Sequence, residues 1–144
     1  MATPVQVVFD AADPDRLAEF WATALGYRLE PPPPGFATWE EYLRAQQVPE
    51  ELWNSASAIV DPDGRGPRIY FQQVPEPKTT KNRCHLDLNV GGGRTATIEQ
   101  RRERVAAARD RLIGMGAKET YVHDERGEYW MTLADPEGNE FCLQ

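Results

Sequence analysis

The sequence repeats one order of elements twice within 144 residues, and this duplication limits the possible folds more than any other feature. Each half reads as a strand, a helix that ends at a glycine, further strands, a turn and a final strand. The turns are Asp61-Pro62-Asp63-Gly64 and Asp135-Pro136-Glu137-Gly138. Residues of this kind between apolar runs mark the passage from one strand to the next. We therefore predict an α+β fold built from two βαβββ modules.

The first module is predicted to span residues 1–74. Asp13, Pro14 and Asp15 suit a helix start, and Gly26 suits its C-terminal cap. The strands are expected at 5–9, with a break from Asp10 to Asp13, and at 27–30, 56–60 and 68–74.

Residues 31–54 form an insertion in this module. It opens with four prolines, which exclude a helix interior, and a helix is predicted over 37–53. The helix carries Trp39 and other aromatic residues. Such a segment suits a lid over a pocket, a flap packed on the sheet or a dimer contact, and the sequence leaves these three open.

A polar linker is predicted at 75–82, and the second module at 83–144. Its first strand, expected at 84–90, has His85, Asp87 and Asn89 on one side. A helix is expected at about 96–113, and later strands at 118–123, 128–133 and 140–143. His123 is interpreted as a turn residue without a role.

Composition narrows the function classes. The chain carries 16 basic and 23 acidic side chains, a net charge of −7, which disfavours nucleic acid and anionic membranes as partners. No apolar run approaches the roughly 20 residues of a membrane span, and the first residues lack the features of a signal peptide. Two cysteines are too few for a disulfide scaffold. We expect a soluble cytoplasmic protein.

Three blocks of sequence resemble a known superfamily: FDAADPDRLAEFWATALGY, DPDGRGPRIYFQQVPEPKTTKNRCHLDLNV and WMTLADPEGNEFCLQ. They are similar to the vicinal-oxygen-chelate superfamily, in its glyoxalase-like branch, which includes glyoxalases, bleomycin resistance proteins and dioxygenases. The resemblance implies a single glyoxalase-like domain whose two sheets curl around a shared cleft, with the helices outside. It also implies a small-molecule ligand and a homodimer. Many relatives bind a divalent metal, whereas others bind a drug or another small molecule without one.

The metal positions implied by the resemblance are largely altered here. The first ligand of each module falls on Gln6 and His85, and the second module's carboxylate position falls on Cys142. In the first module the register leaves Tyr70 or Gln72 as candidates. No metal is expected on this count; if one binds, the ligands would be His85 with Glu140 or Cys142.

The remaining candidates suggest a ligand-binding cleft. His85, oriented by Asp87, is the candidate acid–base group, and a structural histidine is the alternative. Lys78, Lys81 and Arg83 form a basic cluster that suits an anionic ligand or a solvated linker. The predicted ligand-binding residues are Gln6, Trp39, Tyr70, Gln72, His85, Asp87, Glu140 and Cys142.

We therefore expect a glyoxalase-like small-molecule binding protein with an aromatic-roofed cleft, a degenerate metal site and no cofactor, for a ligand that is anionic or aromatic. The alternative is a divalent-metal-dependent lyase, isomerase or dioxygenase acting on a small oxygenated substrate. The small number of metal-ligating residues at these positions favours a binding protein over a metal-dependent enzyme, and whether the chain is catalytic stays open.

Overall fold

The computed structural model describes all residues, 1–144, which fall into two compact units, Met1–Pro77 and Lys78–Gln144. Each unit contains one four-stranded mixed sheet, and both sheets have the same topology. The predicted α+β fold with two βαβββ modules is confirmed. No helix in the chain is both long enough and apolar enough to cross a membrane.

The first unit has the strand order β1-β4-β3-β2, with β1 and β4 parallel and the other pairs antiparallel. The elements are β1 (Val7–Ala11), α1 (Pro14–Leu25), β2 (Arg28–Leu29), α2 (Trp39–Ala45), a 3-10 helix (Glu50–Ser55), β3 (Ala56–Val60) and β4 (Ile69–Gln73).

The second unit repeats this arrangement in the order β5-β8-β7-β6, and its first and last strands are again parallel. The elements are β5 (Asp87–Leu88), a 3-10 helix (Gly93–Thr95), α3 (Ile98–Ile113), β6 (Lys118–Glu125), β7 (Glu128–Ala134) and β8 (Glu140–Leu143).

Helix α1 has the predicted ends. The side chain of Asp13 accepts a hydrogen bond from the Arg16 N–H, and Gly26 takes the left-handed conformation with φ 70°. The helix buries Leu17, Phe20, Trp21 and Ala24. Against them lie the buried Phe71, Ile59 and Ile69 of the sheet, and Phe9 contacts both Trp21 and Phe71. Removing each such side chain from water contributes about 1.5–3 kcal/mol.

Helix α3 begins with a capping box, in which Thr97 and Gln100 each accept the other's backbone N–H. Its buried residues are Val105, Ala108 and Leu112. Alternate residues of β7 and β8, namely Met131, Leu133, Phe141 and Leu143, are buried and form the core with the helix.

Four local predictions need correction. Strand β1 runs through Asp10 to Ala11, because both residues stay in parallel register with β4, and the Ala11 carbonyl accepts the Val74 N–H at 3.0 Å. The helix predicted over 37–53 is broken between Ala45 and Glu50. Pro49 lacks an N–H and disfavours helical geometry at the residue before it, and Gln47 is left-handed with φ 58°.

The other two corrections concern the second unit. The strand predicted at 84–90 is reduced to Asp87–Leu88, because the Val90 N–H turns back to the Leu88 carbonyl at 2.9 Å. His85 therefore precedes the strand. His123 is not a turn residue: it lies within β6, and the turn is formed by Arg126 and Gly127.

Candidate functional site

The face of the second sheet that points away from α3 is polar. Since alternate residues of β7 and β8 are buried against the helix, the residues between them lie on the opposite face. The register aligns them in rows, the first of which runs Asp87, Cys142, Thr132 and Tyr121. We call this surface the polar face; its other members used below are His85, Asn89, His123, Trp130, Glu140 and Gln144.

The centre of the polar face is a group of His85, Asp87 and Cys142. The Nδ1 atom of His85 lies 3.1 Å from Oδ1 of Asp87, and one ligand atom from each of the three residues lies within 4.8 Å of the other two. Both the histidine and the aspartate are partly exposed, with side-chain accessibilities of 41% and 43%. The group combines a base, a carboxylate that orients it, and a thiol.

Strand pairing creates this group. Asp87 is the register partner of Cys142, although the two are separated by more than fifty residues of sequence. The Cys142 N–H donates to the Leu86 carbonyl at 2.9 Å, which extends the pairing toward His85. The structure thus brings His85 together with Asp87 and Cys142, and the role of these residues at a ligand or metal site stays a prediction.

The Cys142 thiol is held in its neutral form. Burial raises the pKa of the thiol, and the negative charge of Asp87 raises it further. Hydrogen bonding with the Thr132 hydroxyl, 3.4 Å from Sγ, and the charge of Lys81 act in the opposite direction. Without another positive charge, Cys142 is therefore a poor nucleophile.

The Glu140 carboxylate binds residues outside the His85 group. Its carboxylate accepts a hydrogen bond from the Asn82 N–H at 2.9 Å and pairs with Lys78 Nζ at 3.2 Å. The Asn82 hydrogen bond, together with Lys78, holds the pKa of this carboxyl below its usual value. Glu140 is not a member of the group around His85, whereas Cys142 is.

An open depression of about 580 Å³ lies beside His85. It is lined by Thr80, Lys81, Asn82, Arg83 and His85. Lys81 and Arg83 are exposed, while Lys78, the third cation of this segment, pairs with Glu140. Two cations and an imidazole therefore face one solvent-accessible space.

The donor atoms of the His85 group are of the types that bind zinc. Imidazole nitrogen, carboxylate oxygen and thiolate sulfur are all zinc ligands, and three protein ligands with one open position are typical of catalytic zinc sites. A hard ion such as Mg²⁺ prefers oxygen ligands alone. The raised pKa of Cys142 opposes this use, since the thiol must lose its proton to coordinate a metal.

The residues predicted in the first unit lie on the sheet face opposite α1 but are tied to neighbours. Gln6 accepts a hydrogen bond from Arg68 at 2.8 Å, and Arg68 is also paired with Glu30. The same guanidinium lies 5.3 Å from the ring centroid of Tyr70. Gln72 donates to Asp10 at 2.8 Å. Ligand contacts from these residues stay predictions.

Trp39 begins α2 within the insertion. Its indole N–H donates to the Glu30 carbonyl at 2.7 Å, and its ring packs edge-on against Tyr42. The residue is 39% exposed. One edge of Trp39 is thus held by the backbone and part of the ring is accessible, and its role at a ligand site stays a prediction.

The sequence left Trp130 open as a core or pocket residue and missed the second row of the polar face to which it belongs. Trp130 and His123 are cross-strand partners whose rings stack, with centroids 3.7 Å apart and an interplanar angle of 14°. Beside them, the Gln144 side chain donates to Asn89 Oδ1 at 2.9 Å. The signal available was the alternation in Glu128–Ala134, which assigns Tyr129 to the core and Trp130 to the opposite face.

Comparison with known proteins identifies related sequences and folds. The family model described as Glyoxalase-like domain matches residues 6–144. No curated protein matches the sequence.

Solved structures share the fold at low sequence identity. A possible glyoxalase from Bacillus cereus is 14% identical with a TM-score of 0.62, covering 100% of this chain and 99% of the other. A glyoxalase/bleomycin resistance protein/dioxygenase family enzyme from Burkholderia phytofirmans PsJN is 14% identical with a TM-score of 0.56, covering 96% and 93%. The fosfomycin resistance protein FosX from Listeria monocytogenes is 8% identical with a TM-score of 0.62, covering 99% and 92%.

Proposed function

Because the chain belongs to the glyoxalase-like domain family of the vicinal-oxygen-chelate superfamily, we propose that it binds a small anionic molecule beside His85 on the polar face. The observation that carries this proposal is the depression lined by Lys81, Arg83 and His85. We further propose that residues 1–144 act as one glyoxalase-like domain and that the protein functions as a homodimer.

The two cations provide the attraction for the ligand. Arg83 presents a planar fork that matches a carboxylate or phosphate, and Lys81 adds a second positive charge. Both are solvent-exposed, so binding requires little rearrangement. The ligand class that fits is a small carboxylate or phosphate.

His85 supplies the polar recognition next to the cations. With Nδ1–H donating to Asp87, the Nε2 atom is left as a hydrogen-bond acceptor or base; the reverse tautomer would forfeit the bond to the carboxylate. In this arrangement the imidazole accepts a proton or a hydrogen bond from the ligand, and Asp87 stabilises the resulting positive charge. His85 is therefore a recognition residue in the binding function and the acid–base residue if the bound molecule reacts.

Calorimetric titration with pyrophosphate tests this proposal. Pyrophosphate is expected to bind the native protein, and the double change Lys81→Gln and Arg83→Gln is expected to weaken binding at least about tenfold, since charge-assisted hydrogen bonds contribute about 1.5–3 kcal/mol each. The matched control is Lys118→Gln with Arg126→Gln, which removes the same charge from exposed positions of the same unit. If both double variants weaken binding equally, net charge alone explains the effect, and the site is refuted.

A second function, metal-dependent chemistry on a small oxygenated substrate, is favoured by the His85, Asp87 and Cys142 group. These three residues would hold the ion, and a bound Zn²⁺ supplies Lewis acidity at its open position. Lys81 and Arg83 would then orient an anionic substrate beside it.

Cadmium titration distinguishes the two functions. The metal-dependent function predicts a stoichiometric thiolate-to-metal charge-transfer band that disappears in Cys142→Ser and remains in Cys84→Ser, whose cysteine is exposed and outside the group. Absence of the band in the native protein, with pyrophosphate binding intact, would reject the metal site and retain the binding function.

A further inference from the structure

We propose that the anion bound beside His85 carries a hydroxyl group next to its charge, so that the ligand is a hydroxy acid or the phosphate ester of a polyol rather than a plain anion. The direction of one hydrogen bond, from His85 to Asp87, carries this inference. It rests on the proposed anion-binding function and names the class of its ligand.

The imidazole of His85 presents a hydrogen-bond acceptor to the depression. The ionised carboxylate of Asp87 can only accept, so the Nδ1 atom beside it, 3.1 Å away, carries the ring hydrogen. Asp87 is not among the residues that line the depression, so the ring edge turned toward it is the opposite one, which carries Nε2. In the neutral ring this nitrogen has a lone pair and no hydrogen.

The other side chains that line the depression can all donate. Lys81 and Arg83 are donors only, whereas Thr80 and Asn82 each offer a donor and an acceptor. His85 is thus the one lining side chain that can only accept. A fully ionised phosphate or carboxylate also only accepts, so it satisfies the two cations but meets the Nε2 lone pair with a lone pair of its own.

The cations and the imidazole lie close enough for one small molecule to reach both. Arg83 and His85 are two residues apart, so their Cα atoms are separated by at most about 7 Å. Burial raises the pKa of the Cys142 thiol, and the charge of Lys81 opposes that rise, which places Lys81 within electrostatic range of the His85 group. A hydroxyl on the carbon chain of the anion can therefore reach Nε2 while the charge stays with the cations.

A hydroxyl group removes the mismatch at His85. It donates its hydrogen to Nε2, and its oxygen is left to accept a hydrogen bond from Asn82 or Thr80. The negative charge of Asp87 at the other end of the ring strengthens Nε2 as an acceptor. A net hydrogen bond of ordinary strength corresponds to about a two- to tenfold gain in affinity.

Calorimetric titration at pH 8 with sn-glycerol 3-phosphate and n-propyl phosphate tests this inference. At this pH both phosphates are almost fully ionised and an imidazole is ordinarily neutral, so the two probes differ only in their hydroxyl groups. We expect glycerol 3-phosphate to bind at least about fivefold more tightly. L-Malate and succinate repeat the comparison for carboxylates, and the hydroxylated member of whichever pair binds is expected to bind more tightly.

The change Asp87→Asn tests whether His85 is the acceptor. The asparagine amide can donate to Nδ1, which moves the ring hydrogen to Nε2, so that His85 then donates to the ligand. The ratio of the two phosphate affinities is therefore expected to fall to about twofold or less. Asp110→Asn, which removes the same charge from an exposed position of α3, is the control and is expected to keep the native ratio.

Nitrogen NMR of the native protein supplies a readout that needs no variant in the site. The signal of an imidazole nitrogen differs according to whether it carries a hydrogen, is bare or accepts a hydrogen bond. Glycerol 3-phosphate is expected to shift the Nε2 signal of His85, and propyl phosphate is expected to leave it unchanged. The chain has two histidines, so His123→Gln assigns the signal.

The outcomes separate this inference from the function on which it rests. Equal affinity within each pair of probes, a native ratio retained in Asp87→Asn, or pyrophosphate binding without binding of either hydroxylated probe would overturn the hydroxyl requirement and leave anion binding in place. Failure of pyrophosphate and all four probes to bind would overturn both.

Discussion

Asp135 is a buried carboxylate whose oxygens satisfy the turn before β8. It is 2% exposed, and it accepts hydrogen bonds from the backbone N–H groups of Glu137 and Asn139 and from the Asn139 side chain. Asp135→Ala would leave these donors unpaired in a buried site, so we expect the free energy of unfolding to fall by about 2–3 kcal/mol. Urea unfolding followed by circular dichroism measures this change.

Asp61 is the matched control because it occupies the same turn in the first unit. It accepts the N–H groups of Asp63, Arg65 and Gly66, but in a more exposed setting where water replaces the lost acceptor. Asp61→Ala is therefore expected to destabilise the protein less than Asp135→Ala. The reverse order would show that burial does not govern these turns.

The ion pair between Glu140 and Lys78 predicts a pH dependence. The Asn82 N–H, followed by Lys78, lowers the pKa of Glu140 in the folded protein. This group therefore contributes stability that is present above the unfolded value, about 4.5, and is lost as the pH falls through the lower folded value. Lys78→Gln is expected to raise the pKa of Glu140 part of the way to its usual value, because the Asn82 hydrogen bond remains.

Carboxyl-resolved NMR titration checks that expectation. Lys118→Gln, which removes an exposed lysine elsewhere in the same unit, should leave the Glu140 titration where it is in the native protein. An unchanged Glu140 pKa in Lys78→Gln would mean that the lysine does not perturb this carboxyl in solution.

At the scale of the element, the end of α1 depends on one glycine. Gly26 has φ 70°, and a Cβ added there meets no atom within 4 Å. Gly26→Ala therefore costs only the strain of a left-handed backbone, about 1 kcal/mol. Thermal and urea unfolding measure this loss. Gly114→Ala, which follows α3 with φ −58°, places its Cβ 3.3 Å from the Arg111 carbonyl oxygen but carries no left-handed strain, so it is expected to cost less.

The insertion shows where prediction from the sequence succeeds and fails at this scale. The prolines and the helix start at Thr38 are local signals, and Thr38 caps α2 by accepting the Glu41 N–H. The break before Pro49 follows from the same chemistry, yet the aromatic spacing suggested one continuous helix. The contact between the insertion and α1 was not predictable from local sequence. It depends on the Asn54 side chain, which donates to Asp13 and accepts the Asp15 N–H across about forty residues of sequence.

At the scale of the whole molecule, the acidic surplus lies in one unit. Residues 1–77 carry 5 basic and 12 acidic side chains, whereas residues 78–144 carry 11 of each. The net charge of −7 therefore belongs to the first unit, and the second is neutral. An anion site beside Lys81 and Arg83 is consistent with an acidic chain because the charge of its own unit is balanced.

This distribution predicts a salt-dependent affinity. Raising NaCl from 20 to 300 mM shortens the screening length to less than about 10 Å, so the attraction of the two exposed cations weakens. Pyrophosphate affinity in calorimetry is expected to fall several-fold over this range. The Lys81→Gln and Arg83→Gln double variant should show a flatter dependence, and a native affinity independent of salt would contradict a charge-based site.

The sequence by itself determined the features that depend on near neighbours. The duplication, the α1 caps at Asp13 and Gly26, and the two Asp-Pro-x-Gly turns are set by residues within a few positions of one another, so local propensity predicts them. The blocks that resemble the superfamily likewise lie in continuous stretches of chain.

Only the tertiary structure decided which polar side chains meet. Asp87 reaches Cys142, Lys78 reaches Glu140, and Asn89 reaches Gln144 because β5 and the segment before it pair in parallel with β8 in one register. A shift of that register by one residue would turn these side chains to the other face of the sheet. No local pattern encodes that choice; it follows from burying Leu88, Phe141 and Leu143 in the core of the unit, which the whole unit must form at once.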